Sequence, residues 1–291
     1  MGAPDTLKPL YTYLKQVLTE HAFETPDLDA RLIIEQRAHF GLSDIICTPD
    51  APISSEIKNN ILSDLTERLS GKPISRIYGY TEFWGMPFKI NEHTLDPRPD
   101  TELIVELALQ RFDQNRDLRI LDLGLGSGCI LISLLKEFPN ALGFGVDVSA
   151  QACKTSRENA RLNNCEDRIH ISCGSWADAL KAQNNHQKFD LIVSNPPYIA
   201  NQVVPTLSQE VQNHDPILSL DGGDDGLDAY KIIFSQIGTL FTEGGIGLFE
   251  IGYDQSEDVS RLSKTAGFLL RAVHHDYARN PRVVEISCGD K

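Results

Sequence analysis

FDLIVSNPPYIA, residues 189–200, joins a short apolar run to a segment that cannot extend it. Leu191, Ile192 and Val193 read as a buried strand. Pro196 and Pro197 lack the N–H that a sheet ladder needs, and proline holds the residue before it in extended geometry. The spacing therefore predicts Asn195 at the strand's C-terminal end, with Tyr198 just beyond. In an open α/β sheet, ligands bind along that edge. A side-chain amide, two rigid carbonyls and an aromatic ring there suit a flat polar group, such as an amide or the edge of a nucleobase. Taken alone, the same residues also read as a proline-rich loop that merely stops a strand.

Around this stretch, strand and helix patterns alternate from Arg119 onward, as in a parallel sheet with helical crossovers. Strands are predicted over 119–123, 142–147, 168–173, 188–194, 245–251, 268–275 and 281–288. Helices are predicted over 127–137, 149–163, 175–182, 226–241 and 254–266. The last two strands are joined only by Asp276–Asn280, so they should pair antiparallel as a hairpin at the sheet edge.

The ends of the earlier strands carry chemistry. The first runs through Asp122 into Gly124-Leu125-Gly126-Ser127-Gly128 and then a helix. Glycines allow a tight turn and let a ligand approach the backbone. The spacing is G-x-G-x-G, not the G-x-G-x-x-G of dinucleotide folds. With a carboxylate beside it, the loop suits an amine-bearing ligand better than a pyrophosphate. Asp147 ends the second strand, where an acid can accept hydrogen bonds from both hydroxyls of a ribose. It can equally cap the helix beginning near Ser149; the glycine loop upstream favours the ribose. Trp176 follows the third strand, where an indole can stack on an adenine face or simply pack in the core. Asp221, Asp224, Asp225 and Asp228 do not follow a calcium-loop spacing, and they read as a solvated glycine-rich loop rather than a metal site.

Toward the N-terminus, Leu7, Leu10, Tyr11, Leu14 and Leu18 share one helix face. A second helix is expected from Pro26-Asp27. A third, capped near Ser54, carries Ile57, Ile61, Leu62, Leu65 and Leu69 and stops at Gly71. These stripes read as the core of a small bundle. Residues 74–90, rich in aromatic and β-branched side chains and punctuated by Gly85 and Pro87, suggest a hairpin. The stiff Leu95-Asp96-Pro97-Arg98-Pro99-Asp100-Thr101-Glu102 follows, ahead of a helix over 102–112.

The ordered set of glycine loop, strand-end acid, Trp and NPPY resembles the class I S-adenosylmethionine-dependent methyltransferases, in which N-P-P-Y or N-P-P-F marks methylation of a planar amide or amine nitrogen. With TLDPRPDTE at 94–102 and GGDDGLDAY at 222–230, the chain looks like the release-factor glutamine methyltransferases of the PrmC/HemK type. The resemblance implies an α/β fold: a Rossmann-like seven-stranded sheet with a C-terminal antiparallel hairpin, preceded by a small helical bundle. It divides the chain into a substrate-recognition domain (1–72), a β-hairpin linker (73–100) and a methyltransferase domain (101–291). It also implies S-adenosyl-L-methionine as cofactor, held by Gly124, Leu125, Gly126, Ser127, Gly128, Asp147, Trp176 and Asn195. Asn195, Pro196, Pro197 and Tyr198 would hold the target, with Asn195, Pro196 and Tyr198 catalytic. No metal is implied. The implied partners are class-1 peptide chain release factors, methylated on the glutamine of their Gly-Gly-Gln motif. Departures from the family pattern are Asp96 in place of an apolar residue, Leu125 in place of Thr and Ser175 in place of Asp. The turn at 276–280 also lacks the usual glycine.

Composition narrows the alternatives. The 291 residues are 41% hydrophobic and 23% charged, with a net charge of −14. Such acidity disfavours a general nucleic-acid binder, and with it an adenine-N6 methyltransferase acting on DNA or RNA. A catalytically inactive methyltransferase fold is the other alternative, and the intact NPPY argues against it. The six cysteines form no C-x-x-C pair and no zinc spacing, which fits a reducing cytoplasm. No apolar run reaches a membrane-spanning length, and the first residues do not pattern as a secretory signal. A monomer is expected.

Overall fold

The computed structural model describes residues 3–181 and 187–289. Residue 182 of the helix expected over 175–182, and the outermost residues of the expected domains, lie outside this range. The chain divides into two compact units, parted after Tyr78.

The first unit is helical: α1 (Leu7–Glu20), α2 (Pro26–Ala38), α3 (Leu42–Cys47), α4 (Ser55–Leu69) and α5 (Ile74–Tyr78). Leu7, Leu10, Leu14 and Leu18 on α1 are fully buried against Ile33 and Ile34 of α2 and Ile61 of α4. Their three- and four-residue spacing puts them on one face, and burying that face stabilises the bundle more than intrinsic helix propensity does. Pro26 opens α2 at a position where its missing N–H costs nothing. The Ser54 side chain caps α4 by accepting the Ile57 N–H at 3.3 Å. Helix α3 is an additional short helix between the second and third expected ones. Residues 74–78, expected at the start of a hairpin, form α5 instead.

The second unit opens with the hairpin β1 (Tyr80–Phe83) and β2 (Met86–Lys89). Its two-residue turn holds both Trp84 (φ 53°) and Gly85 (φ 65°) in the left-handed region, the twist that matches antiparallel strands. Phe83 and Phe88 are buried in the core of this unit, and Asn159 accepts the Lys89 N–H at 2.7 Å. The chain then runs through α6 (Glu102–Arg111), β3 (Arg119–Leu123), α7 (Cys129–Glu137), β4 (Leu142–Asp147), α8 (Ala150–Leu162), β5 (Ile169–Cys173) and α9 (Asp178–Lys181). It continues with β6 (Phe189–Ser194), α10 (Gln209–His214), α11 (Asp228–Ile237), β7 (Phe241–Glu250), α12 (Ser256–Thr265), β8 (Phe268–His275) and β9 (Pro281–Cys288).

Strands β3 to β9 form one seven-stranded sheet in the order β5-β4-β3-β6-β7-β9-β8. The first five are parallel, and β9 pairs antiparallel with both β7 and β8, as the short 276–280 connection requires. Both faces of β6 are buried, and Leu191–Val193 is its continuous apolar run. From β3 the chain steps outward to β4 and β5, then returns to place β6 on the other side of β3. The C-terminal ends of β3 and β6 therefore meet at a topological switch point, where such sheets open a crevice. Among the described residues, no helix is long and apolar enough to cross a membrane.

Candidate active site

A cavity of about 610 Å³ opens at this switch point. Its wall includes Gly124, Leu125, Gly126 and Ser127 after β3, Asp147 after β4, Trp176 after β5, and Asn195 and Pro197 after β6. Seven of the eight residues expected to hold a cofactor thus line one space. Gly128 sits behind them as the N-cap of α7, and Pro196 and Tyr198 are not part of the lining. Pro196 is buried, while the Tyr198 ring packs against the core and its hydroxyl reaches Glu250 Oε1 at 3.4 Å.

Internal hydrogen bonds shape the glycine loop. The Gly124 and Leu125 N–H groups both donate to the Val146 carbonyl, at 2.9 and 3.0 Å, and Gly128 N–H donates to the Leu125 carbonyl at 2.8 Å. Gly126 N–H donates to Asp147 Oδ2 at 2.8 Å. These donors are occupied, so the loop is not a cradle for phosphate. Close approach is what it provides. Gly124 has φ 83°, and a Cβ there would lie 3.5 Å from the Trp176 ring and 3.9 Å from the Asn195 carbonyl oxygen. One missing side chain therefore leaves room where three strand ends converge. Leu125 turns inward and packs over Gly145, where a Cβ would come within 2.6 Å of it.

Asp147 plays both parts left open by the sequence. Its Oδ1 accepts the Ser149 N–H at 2.8 Å at the start of α8, while Oδ2 holds Gly126, and the residue still faces the cavity. Each carboxylate oxygen keeps a further lone pair for a ligand. Burial raises the Asp147 pKa, and the two backbone N–H groups counter it. Behind the loop, Asp122 is fully buried, and neither carboxylate oxygen has a hydrogen-bond partner among the described residues. Burial, followed by the nearby Asp147, pushes its pKa well up. An orphaned acid beneath the loop is electrostatically suited to a cationic ligand in front of it.

The acceptor end is built from segments far apart in sequence. Asn195 Nδ2 donates to Thr101 Oγ1 at 3.1 Å, which leaves Oδ1 without a protein partner among the described residues. Gln255 donates to the Tyr198 carbonyl at 2.8 Å. The GGDDG loop packs directly on this turn: Gly226 has φ 73°, and a Cβ there would lie 2.4 Å from the Tyr198 carbonyl oxygen. The loop's acids have partners of their own. Asp221 accepts the Gly223 N–H, Asp224 the Asn201 side chain, and Asp225 and Asp228 share Lys231. Among the described residues, no group of three or more His, Cys, Asp or Glu is placed to hold a metal.

Sequence reasoning missed much of the wall. His93, Leu95, Pro97, Arg98 and Thr101 bring the proline-rich segment into the lining, and Pro216, Leu218 and Ile232 close it from the other side. Arg98 Nη2 ties the two sides together at 2.6 Å from Asp215 Oδ2. Glu250, at the end of β7, is 1% exposed and lies under Tyr198.

Known proteins resemble the chain over most of its length. Residues 101–215 match the methyltransferase small domain, and residues 10–79 match the PrmC N-terminal domain. The release factor glutamine methyltransferase of Agrobacterium fabrum is 40% identical over 89% of this chain and 89% of its own length. That of Caulobacter vibrioides is 38% identical over 96% and 95%. Among solved structures, a ribosomal protein L11 methylase from Lactobacillus delbrueckii superposes with a TM-score of 0.50 at 20% identity, covering 68% of this chain and 82% of that one. This last likeness supports the fold alone. The two close relatives are matched almost end to end, across both units, and the chain belongs to the release factor glutamine methyltransferase family.

Proposed function

We propose that the chain transfers the methyl group of S-adenosyl-L-methionine to the side-chain amide nitrogen (N5) of the glutamine in the Gly-Gly-Gln motif of class-1 peptide chain release factors. The observation that carries this reading is the Asn195–Thr101 hydrogen bond. With Nδ2 occupied, Asn195 presents an acceptor to the cavity, and an acceptor is what an amide –NH₂ requires.

The residues present fit the cofactor. Asp147 would meet the ribose hydroxyls with its remaining lone pairs, Trp176 the adenine, and Gly124–Ser127 the methionine end over the buried carboxyl of Asp122. The cofactor supplies a methyl made electrophilic by its sulfonium. The protein's task is the amide nitrogen, whose lone pair is delocalised. Asn195 Oδ1 and the Pro196 carbonyl accept the two amide hydrogens and aim the nitrogen at the methyl. Tyr198 closes the turn behind them, with its hydroxyl on Glu250. Holding two reactants at near-attack distance supplies roughly 7–11 kcal/mol of a barrier.

The helical unit is assigned to gripping the release factor, and the chain to working as a monomer in the cytoplasm without binding nucleic acid. The test is incubation with labelled methyl donor and purified class-1 release factor. Wild-type factor takes up label, and a factor whose Gly-Gly-Gln glutamine is replaced does not. Labelling of DNA or RNA instead would replace this reading with an adenine-N6 one.

A further inference from the structure

Glu250 is the charged last residue of a strand whose preceding residues, Leu248 and Phe249, are fully buried. Both of its neighbours on the acceptor side are hydroxyls. Oε1 accepts the Tyr198 O–H at 3.4 Å, and the Thr101 hydroxyl lies beside the carboxyl and stabilises its charge. Oε2 is buried without a hydrogen-bond partner among the described residues. The backbone carbonyl of the same residue takes the Tyr230 hydroxyl at 2.6 Å, which fixes the strand end.

Thr101 has a single proton to donate. Its oxygen already accepts from Asn195 Nδ2, so its proton is free for the carboxyl. When Glu250 is ionised it can only accept. Thr101, beside the carboxyl, can then only donate toward it, so the direction runs one way from Asn195 Nδ2 to Thr101 Oγ1 and on toward Glu250, with Tyr198 as a second donor into the same group. An amide has two ends of opposite character. If its NH₂ is held by Thr101, its oxygen must face the cavity. If Glu250 is neutral it can donate to Thr101, the direction is no longer enforced, and Asn195 can turn its NH₂ toward the substrate. A donor would then face the donor hydrogens of the glutamine.

We propose that Glu250 is a positioning residue for the acceptor amide: through Thr101 it fixes Asn195 with its oxygen toward the glutamine. The inference rests on the proposed function, in which that oxygen receives the amide hydrogens. Its consequence is a pH dependence. Burial raises the Glu250 pKa to about 7, against the pull of Thr101 and Arg282, so the carboxyl changes charge within the working range. The groups facing it are Arg282 from β9, Asp100 ahead of α6, Tyr198 beyond β6, Tyr230 on α11 and Cys129 on α7. Arg282 is held 3.2 Å from both Asp100 and Asp276, so its charge is shared with two other acids.

The experiment compares wild type with Glu250→Gln by steady-state kinetics from pH 5.5 to 9, with cofactor affinity by calorimetry. Wild-type kcat should fall on the acid side with a midpoint near 7. In Glu250→Gln, kcat should drop about 10²-fold, in the range for removing one preorganised polar partner. Its acid limb should vanish, and cofactor Kd should stay within about threefold, a change worth under 1 kcal/mol. Wild-type kcat in the variant, or an unchanged acid limb, overturns the proposal. Should Glu250→Gln fail to fold, Thr101 decides: Thr101→Val loses turnover, and Thr101→Ser, which keeps the hydroxyl, restores most of it. Full turnover in Thr101→Val overturns the proposal equally. A wild-type protein that labels no release factor would instead overturn the proposed function.

Discussion

Asn195 and Asp147 line one cavity, and the same kind of substitution should separate their roles. Asn195→Ala removes the acceptor aimed at the glutamine but leaves the glycine loop and Asp147 untouched, so kcat should fall by about 10²–10³-fold. Cofactor binding, read by calorimetry, should change little, because the other cofactor-lining residues stay in place. Asp147→Ala should do the reverse at first order. It removes a ribose acceptor and leaves the Gly126 and Ser149 N–H groups without their partner. Losing hydrogen bonds to a charged group costs about 1.5–3 kcal/mol, or roughly 10- to 150-fold in cofactor Kd. Unchanged affinity in Asp147→Ala would remove the ribose role. Both residues were visible in the sequence because their type and their place at a strand end point the same way. Glu250 carries that signal too, as an acid closing the apolar run Gly247-Leu248-Phe249. Thr101 carries none: its hydroxyl matters because it meets a side chain 94 positions away, and no local pattern encodes that meeting.

The elements of the second unit show what local pattern can and cannot encode. Four of the seven sheet strands start at the residue the apolar runs predict and β5 and β6 start one residue later, because a strand buried on both faces must be apolar throughout. Helices α3 and α10, of six residues each, are too short to display a periodicity, and α5 replaces the expected strand start. The edge of the sheet is fastened by charge, which periodicity does not report. Glu285 on β9 accepts Arg111 of α6 at 2.9 and 2.7 Å and His274 of β8 at 2.7 Å. Burial alone would raise the Glu285 pKa. The hydrogen bonds from His274 and Arg111 outweigh it and hold the carboxyl at about 2, below its ordinary 4.5. A lowered carboxylate pKa stabilises the fold fully above pH 4.5, and the contribution is lost as pH falls through about 2. Glu285→Gln should therefore lower stability at pH 7 by roughly 1–3 kcal/mol, toward the low end because half-exposed Arg111 regains water. It should also flatten the acid limb. Urea midpoints from pH 7 down to 2 would show this, and an equal acid limb in both proteins would assign it to other groups.

At the scale of the whole molecule, the two units divide chemistry from recognition in the proposed function, and the division can be tested without cutting the chain. Every expected donor and acceptor contact lies in the second unit, while the first offers a leucine core and inter-helix ion pairs that include Asp29–Arg68 and Arg37–Asp64. Arg68 and Asp29 are 6% and 7% exposed at 2.7 Å, and the Arg68 guanidinium also lies 4.2 Å over the Phe23 ring. Removing one partner of such a pair leaves an uncompensated buried charge and costs about 3–5 kcal/mol, a large part of what a bundle of this size can hold. Arg68→Met should therefore loosen the helical unit selectively. The cavity residues lie beyond Tyr78 and should bind the cofactor as before. If the helical unit grips the release factor, kcat/KM for the whole factor should fall by at least tenfold, while turnover of a short Gly-Gly-Gln peptide, which is too small to use that grip, should not change. Loss on both substrates alike would mean that the unit supports the catalytic one instead. Full activity on the whole factor, with the helical unit shown to be unfolded by hydrogen exchange, would leave recognition to the cavity rim alone.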